Sequence, residues 1–280
     1  MGIGGPAAAG ATGATALVCA VLAMFSGAAA SSPDAGVLRP VAGPVRLTGA
    51  LAEVSGLAPA SETSVYAHND EQATIHEVDF RTGKILRAQS MGRPPVPGDF
   101  EAIAVNATEK LLVTSGGLLL LAQNAVRGRS LRYRAVDTDL EKACEIEGLA
   151  PADAGGSFFF ACKHAGRRLV IYRWSASAGA VKAVNLKLDG AVPNPKGFRA
   201  TELVRDPRAG TLLVLDSAAG AVLEISTDGQ SIGYWRLGGD HPQAEGLALL
   251  PDGSMVVADE GRIGDGALTS GALTLYPPRR

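Results

Sequence analysis

The chain has 280 residues, with 26 basic side chains against 28 acidic ones and a net charge of −2. That balance, with no basic block anywhere, argues against nucleic acid or an anionic membrane surface as a partner. The length fits one all-β domain after loss of an N-terminal segment, and helical periodicity is absent beyond the N-terminus.

Residues 1–33 carry no charged side chain. Within them Ala14–Phe25 is a largely apolar stretch of signal-peptide length, and Gly27-Ala28-Ala29-Ala30-Ser31 offers a small-residue cleavage site. The expectation is a signal peptide over 1–30, cut after Ala30, and a mature protein in the periplasm or secreted. The usual basic residue of the leading region is missing. Cys19 fits a lipobox poorly, because Val18 precedes it and Ala20–Phe25 is apolar. An uncleaved N-terminal membrane anchor is the alternative, although the apolar run is short for a span that needs about 20 residues. Residues 31–43 read as a flexible linker, 44–277 as the folded domain and 278–280 as a tail.

The domain is organised by a recurring phrase: Val54-Ser55-Gly56-Leu57-Ala58, Phe100-Glu101-Ala102-Ile103-Ala104, Ile146-Glu147-Gly148-Leu149-Ala150, Ala200-Thr201-Glu202-Leu203-Val204 and Ala244-Glu245-Gly246-Leu247-Ala248. Counted at the small residue, with Glu202 in that place in the fourth copy, the steps are 46, 46, 54 and 44 residues. Periods of roughly 40–50 residues built from short strands point to propeller blades. After each phrase come β-rich runs separated by turns. Arg81-Thr82-Gly83 and Thr227-Asp228-Gly229 mark hairpins, the latter carrying the strong Asp-Gly signal.

The reading is a single all-β propeller of four-stranded antiparallel blades. The last copy ends after three strands, Leu247–Leu250, Ser254–Glu260 and Gly271–Pro277. Val45–Leu51, which belongs to no complete unit, can supply the fourth and hide an open sheet edge. Five blades result. A sixth in the long third step, around Ala176–Phe198, is the alternative, with Pro193-Asn194-Pro195 reading there as a loop.

Cys144 and Cys162 remain once the leader is removed. An oxidising compartment and antiparallel pairing place them nearly opposite each other, so a disulfide is weighed against two buried free thiols.

The innermost strand of each blade begins, and the second strand ends, on the same face of the ring. That face collects Ser55, Glu101, Glu147, Thr201 and Glu245 from strand starts. From strand ends and following loops it gathers His68, Asn69, Asp70, Glu71, Lys163, His164, Asp216, Asp259 and Glu260. Three glutamates at equivalent places converge toward one axis and repel unless something offsets them. A hard cation, Ca²⁺ before Mg²⁺, suits such oxygens. Glu101, Glu147, Glu245 and Asp70 are the candidate ligands; the competing reading is a set of backbone caps within each blade. His68, Asp70 and Glu260 are the only candidates for a general base near a metal. His76, beside Glu77, is expected at the surface.

The phrases above, with His68-Asn69-Asp70-Glu71 and Gln243-Ala244-Glu245-Gly246-Leu247-Ala248, resemble the SdiA-regulated (YjiK-type) family of bacterial exported propellers, neighbours of the esterase-like phytase propellers. The likeness covers about Ala50–Pro277. It implies a phytase-like propeller, calcium association and residence in the cell envelope, and it supports Glu101, Glu147, Glu245 and Asp70 as site residues. The fourth copy departs, with Thr201-Glu202 where Glu-Gly is the pattern.

No Gly-x-Ser-x-Gly elbow, phosphate-binding loop, dinucleotide fingerprint or zinc-protease helix occurs. Two function classes follow. One is an envelope propeller, monomeric and at most peripheral to the membrane, that binds a small molecule or an envelope protein. The other is a calcium-dependent hydrolase of phosphoesters or of ester and lactone substrates. Scarce basic residues on the site face weigh against efficient phosphoester chemistry.

Overall fold

Runs such as Leu119–Ala122, Phe158–Ala161 and Leu212–Leu215 have no polar side, and the fold buries both faces of each. In a strand successive side chains point to opposite faces. Accordingly Phe159 and Ala161 pack toward the next blade while Phe158 and Phe160 pack toward the previous one. Near-continuous apolar strands, rather than alternating ones, are what a sheet covered on both sides requires.

The structure is a computed structural model and describes residues 1–2, 34–124, 128–154, 156–163, 166–264 and 267–279. The expected signal peptide, its cleavage point at Ala30 and the candidate His164 lie outside the described residues.

In chain order, β1 (Asp34–Leu38) and β2 (Ala42–Leu47) precede the first repeat. Blade 1 follows as β3 (Val54–Pro59), β4 (Ser64–Asn69), β5 (Thr74–Asp79) and β6 (Ile85–Met91). Blade 2 has β7 (Phe100–Val105), β8 (Glu109–Thr114) and β9 (Leu118–Gln123); then the short β10 (Ser130–Leu131) leads to its outer strand β11 (Tyr133–Asp137). Blade 3 is β12 (Ile146–Pro151), β13 (Ser157–Cys162), β14 (Arg168–Ser175) and β15 (Gly179–Lys187). Blade 4 is β16 (Ala200–Asp206), β17 (Thr211–Asp216), β18 (Ala221–Ser226) and β19 (Ser231–Leu237). Blade 5 opens with β20 (Ala244–Leu249) and β21 (Met255–Asp259). A small hairpin of β22 (Ile263–Gly264) and β23 (Ala267–Leu268) then leads to β24 (Gly271–Tyr276).

These are five four-stranded antiparallel blades in a ring, the fifth completed by β2 against β24 with Val45 opposite Leu273. The closing strand therefore comes from the N-terminal side, as the missing last strand requires. It starts earlier than expected, at Ala42, and Gly49–Leu51 forms a 3-10 turn instead of strand. No sixth blade forms among the described residues: Gly179–Lys187 is the outer strand of blade 3, and Pro193-Asn194-Pro195 lies in a loop. Gly83 and Gly229 take φ of +72° and +90° in the predicted hairpins, a left-handed conformation that few other residues adopt.

Five apolar clusters occupy the five junctions between neighbouring blades. Each fully buried aliphatic or aromatic side chain there contributes about 1.5–3 kcal/mol of burial. Two outer edges gain a further parallel strand: β1 pairs with β19 on blade 4 and β10 with β6 on blade 1. Asp34–Leu38 thus becomes strand within the stretch read as a linker, because an uncovered edge offers unpaired N–H and C=O groups. The expected tail is also docked. Arg279 reaches Asp206 at 2.9 Å and Glu224 at 3.3 Å on blade 4. Cys144 and Cys162 form a disulfide, with Cα atoms 5.7 Å apart.

Candidate functional site

Each innermost strand carries a β-bulge at the same point of the phrase. The register shifts between Val54 and Gly56, Phe100 and Ala102, Ile146 and Gly148, Ala200 and Glu202, and Ala244 and Gly246. The residues inside the shifts are Ser55, Glu101, Glu147, Thr201 and Glu245. A bulge leaves one residue out of the ladder and re-aims its side chain. The five predicted positions are thus equivalent in backbone geometry as well as in sequence.

What each does depends on its side chain. Ser55 donates to the Phe100 carbonyl at 3.2 Å and Thr201 to the Ala244 carbonyl at 2.9 Å, so the two hydroxyls tie one blade to the next. The glutamates gather on the blade 2 and blade 3 side. Glu101, Glu145 and Glu147 each offer an oxygen within 4.8 Å of the others. Lys163 lies among them, with its Nζ 2.6 Å from Glu147 and 3.0 Å from Glu145.

The electrostatics follow from crowding and burial. Burial, with Glu147 and Asp99 nearby, pushes Glu101 up to about 8. Glu147 is pushed up to about 7 by burial, against the downward pull of Lys163. Glu245 is also pushed up to about 7, by burial first and then by Glu260 and Glu101. The Lys163 ammonium is held above the ordinary lysine range by its glutamate partners, burial notwithstanding. Carboxyls poised near neutrality beside a trapped cation are the kind of perturbed cluster that marks functional sites.

The remaining candidates do not all join this group. Glu245 feels Glu101 and Glu260 electrostatically, but it is not among the three carboxylates that could close on one ion. Asp70 sits with Glu260, whose carboxyl is raised by burial first and then by Asp70, and the Glu260 side chain accepts a hydrogen bond from Gln243. His68 is fully buried. Its Nδ1 contacts the Asn69 carbonyl at 2.8 Å, its Nε2 has no hydrogen-bond partner among the described residues, and burial lowers its pKa to about 4. His76, expected at the surface, is 7 % exposed, because the inner positions of β5 are covered by the neighbouring blade. Asp216 and Asp259 are structural braces. Asp216 accepts from Arg199 N–H and Tyr234 O–H, both at 3.0 Å. Asp259 holds His241 at 2.8 Å, and His241 in turn contacts the Tyr276 hydroxyl.

Sequence reasoning passed over two residues. Glu145, two positions before Glu147, was legible as a second acid at the start of a strand that opens the site face. Glu202 stood out only as a departure from the repeat. Its carboxyl group, wholly buried and pushed well above the ordinary carboxylate range by that burial, accepts from Leu203 N–H at 3.0 Å, from Leu57 N–H at 3.4 Å and from the N–H of Leu149. These donors belong to blades 4, 1 and 3. One long side chain on the axis requires small neighbours, and the equivalent places hold Gly56, Ala102, Gly148 and Gly246. A Cβ on Gly56 would stand 2.5 Å from His68 Nε2 and 3.3 Å from Glu202 Oε2.

The model of a family described as SdiA-regulated matches residues 44–262. No curated protein sequence matches significantly. Among solved structures, the chain is similar to glutaminyl cyclase from Myxococcus xanthus, with 18% identity, a TM-score of 0.54, and coverage of 86% of this chain and 100% of that one. It also resembles a Bacteroides thetaiotaomicron protein of unknown function, with 12% identity, a TM-score of 0.53, and coverage of 84% and 62%. The calcium-binding protein regucalcin from Agrobacterium tumefaciens aligns at 17% identity with a TM-score of 0.48, covering 88% and 99%. At these identities the likeness shows the fold alone.

Proposed function

The chain belongs to the SdiA-regulated family, and on that footing we propose that it is an exported envelope propeller that binds a ligand or partner through its acidic channel mouth, with Ca²⁺ as the ion its carboxylates take. The observation that carries this reading is the convergence of Glu101, Glu145 and Glu147 within 4.8 Å. Carboxylate oxygens of this kind suit a hard cation that tolerates irregular coordination. Bound there, Ca²⁺ would neutralise the mouth and order the loops around it.

Lys163 already supplies one positive charge at this place. A divalent ion therefore competes with the ammonium and with the protons that the raised carboxyls retain. Binding should release protons and strengthen as pH rises. Export is supported by the charge-free N-terminus and by the Cys144–Cys162 bridge, a bond that persists in oxidising compartments. No helix among the described residues is long and apolar enough to cross a membrane.

Binding is favoured over hydrolysis by two features. His68, one of the three general-base candidates in the sequence with Asp70 and Glu260, is sealed from solvent. Lys163 is tied to two glutamates, whereas a phosphoester substrate needs converging free cations.

The test is calorimetric titration of the mature protein with Ca²⁺ and Mg²⁺ at pH 6 and pH 8. Ca²⁺ should bind more tightly at pH 8, Glu147→Gln should weaken it, and Lys163→Gln should strengthen it by removing the competitor. If Lys163→Gln takes up no Ca²⁺ at pH 8, the cluster is a structural ion pair and the calcium reading fails. Turnover in a phosphatase, esterase and lactonase panel that EGTA abolishes would replace binding with hydrolysis. N-terminal sequencing of the envelope and secreted fractions should begin at Ser31.

A further inference from the structure

At the other end of the innermost strands, away from the acidic mouth, the ring holds a cavity of about 460 Å³. All five blades line it. Three residues beyond the small residue of each phrase stand Pro59, Val105, Pro151, Arg205 and Leu249, and all five line the cavity. Four are apolar and one is an arginine. Deeper in, Leu57, Leu149 and Leu203 are nearly fully buried. Their backbone N–H groups hold the Glu202 carboxylate, which closes the axis at that level.

No acidic side chain is among the described residues lining this space; its charges are Arg205 and Arg208. Arg208 is engaged, with Nε 3.6 Å from Asp206 and Nη1 donating to the Pro251 carbonyl at 3.3 Å. Arg205 differs. Its Nε is shielded from water and has no hydrogen-bond partner among the described residues. A buried donor left unpaired is costly, more so on a charged group. The guanidinium itself lines the cavity with no ion pair among the described residues, and its planar fork suits a carboxylate.

We propose that this cavity is a binding site for a small apolar molecule bearing one carboxylate, with the chain against the leucine floor and the carboxylate on Arg205. The volume lies in the range of small-molecule pockets, which are apolar with a few placed polar groups. Charge selects against apolar cations, and the Glu202 closure keeps the ligand from reaching the acidic mouth. The inference does not depend on calcium binding at the opposite face.

Decanoate and decanol are suitable probes because they share a chain and differ in the charged head. In calorimetric titrations of the full chain, decanoate should bind at least 10-fold more tightly than decanol. Arg205→Gln should weaken decanoate by roughly 10- to 100-fold, the loss expected for a charge-assisted pair, and leave decanol unchanged. Val105→Trp, at the half-buried rim, should weaken both, with circular dichroism verifying the fold. Glu147→Gln, on the far face, should bind decanoate as the parent does. The proposal is overturned if decanoate binds no better than decanol, if neither binds at millimolar concentration, or if Arg205→Gln retains parental affinity for decanoate.

Discussion

Replacing Glu202 with glycine restores the pattern of the other four phrases, and repeat consensus alone would rate the change neutral or stabilising. The structure predicts the opposite. Three backbone N–H groups, from Leu57, Leu149 and Leu203, point at this carboxylate. Each orphaned buried donor costs about 1–3 kcal/mol, or roughly 3–9 kcal/mol for three. Water entering the vacated space recovers part of this, and removing a buried carboxyl relieves its desolvation. The net loss is then about 3–5 kcal/mol, which for a domain of this size lowers the melting temperature by about 10 °C. Glu202→Gln keeps one acceptor oxygen and should lose about half as much, if the loss scales with orphaned donors. Differential scanning calorimetry of both variants at one scan rate, at pH 6, measures this. If Glu202→Gly melts within 2 °C of the parent, the axial carboxylate does not hold the blades together and the argument fails.

Stability should also fall between pH 6.5 and pH 8. Glu101, Glu147 and Glu245 have folded pKa values raised to about 8, 7 and 7, so the folded state retains protons that the unfolded state has released, and that stabilisation is lost as pH rises through those values. His68, lowered to about 4, acts in the other direction between pH 4 and 6.5, but one histidine offsets only one of the three carboxyls' protons, so the fall begins above about pH 4.5 and steepens past pH 6.5. A melting temperature that climbs from pH 6.5 to 8 would contradict these assignments. Reducing the Cys144–Cys162 bridge, which closes a separation of 18 residues, should cost about 3 kcal/mol; thermal melts with and without reductant read it, and coincident curves would count against a structural role. Gly148→Ala places a Cβ 2.7 Å from Leu203 Cβ and 2.8 Å from Leu203 N, so overpacking of about 1–3 kcal/mol is expected. Urea unfolding gives the value, and a neutral result would mean that the approach of blades 3 and 4 is looser than drawn.

The repeat made the propeller legible without coordinates. Antiparallel hairpins and ring closure through the segment around Val45 follow from short-range spacing, because each blade is written in consecutive residues and its neighbours repeat it; the same spacing left a sixth blade and two free thiols at Cys144 and Cys162 as alternatives that the structure closes. The five equivalent positions were legible as the residue before each small one, but that each is a bulge came only from the strand register. Convergence was not. Whether Glu147 meets Glu245 or Glu145, whether Lys163 lies between them, and whether Glu202 breaks the ring or pins it depend on side chains from different blades meeting at one axis. The same holds for His68 and His76, whose burial the repeat does not reveal, and for Asp34–Leu38 and Arg279, which dock on blade 4. Sequence periodicity sets distances along the chain; charge, burial and donor pairing at the axis are set by distances across it, and those exist only once five blades have closed.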